Sequence, residues 1–112
     1  MFPITTKLAG VTYDDAQTNI KRFGCEDIGT FELVREPNNP HDINAIKVRI
    51  GPYHLGYIPK HIAKSLAPKM DDGRKFCAEY MGRNEHPHHD VVGLTIRIVQ
   101  VSQPNIEECR PL

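Results

Sequence analysis

The sequence predicts a mostly β domain with two short helices and about six short strands. Three observations carry that prediction. Apolar and polar residues alternate over several short runs, most cleanly in Ala45-Ile46-Lys47-Val48-Arg49-Ile50, where Ile46, Val48 and Ile50 fall on one side and Lys47 and Arg49 on the other. Turn-forming residues separate those runs, most densely in Asn38-Asn39-Pro40-His41-Asp42-Ile43-Asn44, where Asn and Asp bond their own backbone and Pro fixes φ. Only two stretches show helical spacing, and 112 residues make one domain and no more.

The elements follow in chain order. Leu8, Gly10 and Thr12 alternate with Ala9 and Val11 as an opening strand. Asp14 stands at an N-cap position, Ala16, Ile20 and Phe23 recur at helical spacing, and Gly24 stops the run, so residues 14–23 read as a short helix. Phe31 and Leu33 alternate with Glu32 and lead through Val34 into Arg35-Glu36-Pro37. After the Asn-rich turn and the strand 45–50, Gly51-Pro52 turns the chain into a hairpin partner over Tyr53 to Ile58. Pro59 sits just inside the start of a second helix, whose apolar stripe of Ile62, Ala63, Leu66, Ala67 and Met70 ends at Asp71-Asp72-Gly73. Phe76, Ala78 and Tyr80 form one face of a further strand. In the last strand Val92, Leu94, Ile96 and Ile98 are in phase but Val99 and Val101 are not, which predicts a bulge there. Such an order, with the longer helix between a hairpin and the final two strands, suits a small, partly open OB-like or SH3-like β-barrel spanning residues 1–102. Residues 103–112 read as a loose tail.

Composition narrows the function. Lys plus Arg and Asp plus Glu balance at 14 each, which argues against coating long nucleic acid by charge alone but leaves room for a pocket that takes one end of a strand. Cys25, Cys77 and Cys109 are odd in number and widely spaced, so the expected compartment is a reducing cytoplasm, with the cysteines as small buried hydrophobes. The first residues form neither a signal peptide nor a membrane span, and no membrane partner is expected.

One constellation is specific. Leu33-Val34-Arg35-Glu36-Pro37-Asn38-Asn39-Pro40-His41-Asp42-Ile43-Asn44-Ala45-Ile46-Lys47-Val48 is followed eight residues later by Gly56-Tyr57-Ile58-Pro59-Lys60, with Gly10-Val11-Thr12-Tyr13 upstream and the helix Ala63 to Met70 downstream. Over residues 7 to 101 the chain resembles the HIRAN domain. That resemblance implies a small OB-like barrel, the module found at the N-terminus of helicase-like ATPases acting at damaged replication forks and also as free-standing proteins, which this chain resembles in having no ATPase segment. It implies a grip on the free 3′-end of single-stranded DNA, with a helicase or nuclease as the kind of protein partner and no cofactor. In such a pocket Asp42 accepts the terminal hydroxyl proton and its charge repels a 3′-phosphate. Tyr13 stacks on a base, Lys60 holds a phosphate near a helix N-terminus, and Asn39 donates to sugar or base. Tyr57 joins the site set, its barrel-packing role standing beside that one. His41 replaces the family's second stacking Tyr, and Thr12 replaces its Arg. Lys47 and Arg49 would add charge from the polar face of their strand.

Other readings compete. Asn38, Asn39, Asp42 and Asn44 could serve only to hold the turn. Thr12, His41 and the zero net charge favour an adaptor that keeps the scaffold and binds protein instead. Glu85-His86-Pro87-His88-His89-Asp90 invites a metal site for nucleic-acid cleavage, but it lies in a loop without supporting ligand spacing, so no metal is expected. Catalysis has no motif behind it: there is no G-x-S-x-G and no phosphate loop.

Overall fold

A computed structural model of the chain describes residues 2–25, 29–86 and 88–101, with His89 described in its backbone alone. Six strands and two helices run in the order β1 (Ile4–Lys7), α1 (Ala16–Phe23), β2 (Thr30–Arg35), β3 (Ile46–Ile50), β4 (Tyr53–Tyr57), α2 (Lys60–Asp71), β5 (Phe76–His86) and β6 (His89–Gln100). All the strands join one antiparallel sheet in the order β1-β6-β5-β2-β3-β4, curled into an OB-like half-barrel. The two outer edges meet just beyond β1, where Ala9 and Tyr57 exchange two backbone hydrogen bonds of 2.8 Å each. Gly56 permits that closure. Its φ is +155°, and a Cβ there would lie 2.9 Å from the Ala9 carbonyl oxygen.

The alternating residues read from the sequence supply the inner face. Phe31, Ile46, Val48, Leu55, Leu94, Ile96 and Ile98 are fully buried, and α2 contributes Ala63, Leu66 and Ala67 to the same core. Helix α1 packs on β4 and β6 through Ala16 and Ile20. Its buried Asn19 is satisfied by donating to the His54 carbonyl at 2.8 Å. The Gln17 amide bonds both the N–H and the C=O of Val92, and so covers the β6 edge where β1 has ended. Among the described residues no helix is long and apolar enough to cross a membrane.

Four local expectations are corrected. The opening strand is Ile4–Lys7 rather than 8–12, because its place is set by pairing with β6 (Ile4 opposite Ile98, Lys7 opposite Thr95) and not by its own apolar content. Asp14 does not cap α1: it has φ +50°, and Asp15 is the cap residue, without a side-chain hydrogen bond. Pro59 lies outside α2 as its N-cap, with ψ 145°, and its carbonyl accepts from the N–H groups of Ile62 and Ala63. No bulge falls at Val99, which stays in register opposite Cys77; in β5 Met81 is the extra residue between the Tyr80–Ile96 and Gly82–Thr95 pairs, and a second register shift lies between the Asn84–Gly93 and His86–His89 pairs. Val101 is buried beyond the end of β6, where it donates to the Lys75 carbonyl. The tail proposed for 103–112 lies outside the described residues.

Candidate functional site

The Asn-rich turn is built from its own side chains. Asn39 Oδ1 accepts from the N–H groups of His41 at 2.8 Å and Asp42 at 3.2 Å, and Asp42 Oδ1 accepts from the N–H of Asn44 at 2.9 Å. The backbone closes the turn through Ala45 N–H to the Asp42 carbonyl and Glu36 N–H to the Ala45 carbonyl. Asn44 therefore takes part through its backbone N–H.

A second loop comes in from the N-terminal side. Gly10 has φ +60°, and a Cβ there would meet Tyr13 Cδ2 at 2.9 Å and Tyr57 Cδ1 at 3.2 Å. Only glycine lets the two rings close over the backbone at this point. Tyr13 is thereby held with 60 % of its surface exposed.

The two loops, the end of β4 and the start of α2 enclose a cavity of about 980 Å³. All six residues predicted from the sequence line it: Tyr13, Asn39, His41, Asp42, Tyr57 and Lys60. Thr12 and Asp14 line it as well.

Sequence reasoning missed the centre of the arrangement, Glu36. Its Oε1 accepts from the Tyr57 hydroxyl at 2.8 Å and from Asn39 Nδ2 at 3.0 Å, and its Oε2 pairs with Lys47 Nζ at 3.1 Å. Burial pushes the Glu36 carboxyl up, but the hydrogen bonds from Asn39, Tyr57 and Lys47 outweigh it and hold the group below the usual value. The Tyr57 phenol is pushed up to about 12 by burial and by its bond to Glu36. Tyr57 thus donates to Glu36 and keeps oxygen lone pairs to accept from a ligand. Its hydroxyl is committed to that carboxylate at 2.8 Å. The expected charge supply fails, because Lys47 is taken by Glu36 and Arg49 lies 3.6 Å from Glu32. An acid inside a run of turn residues, facing a Tyr and a Lys across the sheet, was the available signal for Glu36.

Chemically, the cavity offers acceptors in Asp42 Oδ2 and the Tyr57 oxygen, neither of which has another donor among the described residues. Donors are the second N–H of Asn39 Nδ2 and the exposed ammonium of Lys60. Tyr13 and His41 supply planar surfaces. Beneath Tyr57 the His54 ring lies edge-on at 5.3 Å, with neither ring nitrogen hydrogen-bonded among the described residues. Burial, then the charge of Lys47, holds its pKa below the ordinary histidine value.

The histidine stretch lies elsewhere, at the β5–β6 hairpin tip, where His86 and His89 are cross-strand partners. The His88 N–H donates to His86 Nδ1 at 3.1 Å. Among the described residues no three His, Cys, Asp or Glu side chains are grouped to hold a metal, and the His89 side chain lies outside them.

Comparison with known proteins places the fold. The HIRAN domain family model matches residues 2–99. The chain is 40 % identical over 70 residues to the Fanconi-associated nuclease 1 homolog of Arabidopsis thaliana, covering 62 % of this chain and 7 % of that protein. It is 51 % identical over 41 residues to the helicase-like transcription factor of Oryctolagus cuniculus, covering 36 % of this chain and 4 % of that protein. The activities in those two names thus belong to proteins of which this chain spans a small fraction. In fold it is similar to the HIRAN domain of human HLTF, with a TM-score of 0.63 at 22 % identity over 87 % of this chain and 73 % of that one. A protein from Lactobacillus plantarum superposes with a TM-score of 0.64 at 24 % identity, over 85 % of this chain and 91 % of its own.

Proposed function

The chain belongs to the HIRAN domain family, and from that premise we propose that it is a non-catalytic module binding the free 3′-hydroxyl end of single-stranded DNA in replication or repair. The observation that carries the reading is the cavity itself, which gathers a carboxylate with one free oxygen, two stackable rings, an amide donor and a lysine from three separate stretches of chain. Asp42 Oδ2 accepts the terminal hydroxyl, and the Tyr57 oxygen stands by as a second acceptor. Tyr13 and His41 stack on the last bases, each stacked base contributing about 1–3 kcal/mol. Lys60 takes the phosphate next to the end, and the Asn39 N–H donates to sugar or base. A helicase or a nuclease is the protein partner this reading favours, by analogy with the relatives' names.

Fluorescence anisotropy with short oligonucleotides ending in a 3′-hydroxyl or a 3′-phosphate tests it. The wild type is expected to prefer the hydroxyl. Asp42→Asn should cut that preference about tenfold, since the neutral amide both weakens the bond to the hydroxyl and no longer repels a 3′-phosphate. Binding blind to the end group, or no binding, would sink the reading and favour a protein-binding adaptor.

A further inference from the structure

The protein is neutral overall, but its charges are not evenly spread. Five acids of the sheet and its flanks are each paired with a cation: Glu32 with Arg49, Glu36 with Lys47, Asp71 with Arg35, Glu79 with Arg97 and Glu85 with Arg83. Residues 60–75 are different. They hold Lys60, Lys64, Lys69, Arg74 and Lys75 against only Asp71 and Asp72, and Asp71 already belongs to Arg35. Among the described residues none of those five cations has a carboxylate in ion-pair contact.

The cavity's rim is polarised in the same sense. On the α1 side it carries Asp14, with exposed Asp15 next to it; on the α2 side it carries Lys60. Lys60, His61 and Lys64 are all exposed, and Ala63, Leu66 and Ala67 turn the opposite face of α2 into the core. Lys64 follows Lys60 by four residues, hence lies on the same face about 6 Å further along the helix axis. A phosphodiester chain leaving the cavity meets repulsion at Asp14 and Asp15 and attraction along α2.

We propose that the outer face of α2, through Lys60 and then Lys64, is the track for the sugar–phosphate backbone of the strand whose end occupies the cavity. The inference rests on the end-binding reading and adds the direction in which the strand leaves and the residue that first holds it outside. Lys64 acts as a backbone contact without base preference.

Anisotropy with oligonucleotides of two and twelve nucleotides, both ending in a 3′-hydroxyl and both 5′-labelled through an uncharged linker, distinguishes the two claims. Lys64→Glu should weaken the twelve-nucleotide strand about fivefold and leave the dinucleotide, whose one phosphate belongs to Lys60, unchanged, an effect at the upper end for an exposed ion pair. Lys64→Gln should lower the slope of log K against log salt for the longer strand by about 0.7, the value for one single-strand phosphate. Asp15→Asn, on the opposite rim, should leave the long-to-short ratio the same or raise it. Lys64 is exposed, and unchanged circular dichroism of both variants checks the fold. If Lys64→Glu weakens both strands equally or neither, while the wild type still discriminates hydroxyl from phosphate, the track is wrong and the cavity reading stands. If the wild type binds neither strand, both fall.

Discussion

Replacing Glu36 by Gln tests whether one carboxylate holds the site together. Glu36 receives three donors, from Tyr57 and Asn39 on Oε1 and from Lys47 on Oε2. A glutamine can keep its oxygen toward Tyr57 and Asn39, but its NH₂ then faces the Lys47 ammonium, donor against donor. The Lys47 pair is partly wet, at 30 % and 26 % side-chain exposure, so its loss is set near 1 kcal/mol. The two remaining bonds change from a charged to a neutral acceptor, together about another 1 kcal/mol. The sum, about 2 kcal/mol, corresponds to roughly 8 °C in melting temperature for a domain of this size. The pH dependence supplies a second reading. The folded carboxyl lies below the ordinary glutamate value, so its stabilisation is fully present above that value and is lost as pH falls through the folded pKa. Thermal melts followed by circular dichroism at pH 7 and pH 3 should therefore show a gap between wild type and Glu36→Gln that narrows in acid. Equal melting at pH 7, or a gap that stays constant down to pH 3, would refute the account.

Two further outcomes follow from the same surroundings. His54 keeps a lowered pKa with both ring nitrogens buried and unbonded among the described residues, so the unfolded chain takes up its proton first and the fold loses stability as pH falls through about 6.5. His54→Phe should raise the melting temperature relative to wild type more at pH 5.5 than at pH 8; equal shifts at both would contradict this. Gly56→Ala should cost about 2 kcal/mol or more in urea denaturation, because the new Cβ would sit 2.9 Å from the Ala9 carbonyl at a backbone angle that side chains rarely adopt. A neutral result there would show that the barrel can close by another route.

The parts legible in the sequence were those written in local periodicity and turn chemistry. Ile46 and Val48 announce β3, and the stripe ending at Met70 announces α2. The Asn-rich turn announces the wall that carries Asn39, His41 and Asp42. What was illegible depends on partners distant in the chain. Ile4–Lys7 carries too little apolar alternation to read as a strand, and it becomes one only because β6 offers an edge. The stretch Glu85 to Asp90 reads as a loop, yet strand pairing continues to His86 because the opposing arm returns beside it. Within the site, the residue types could be chosen from the motif, but Glu36 could not be assigned. Its role comes from facing Tyr57, 21 residues further along the chain, across the sheet.

The contact between Ala9 and Tyr57 couples closure of the barrel to the site. It is an isolated rung formed by residues 48 positions apart. Tyr57 is also a wall of the cavity, and Ala9 leads directly into Gly10 and Tyr13, which form the opposite wall. A chain with the sheet formed but this rung open has the Asn-rich turn and lacks the cavity. Ligand binding therefore requires the closed seam, and a ligand held between the walls would act as a clasp on it, slowing hydrogen exchange at the Ala9 and Tyr57 amides.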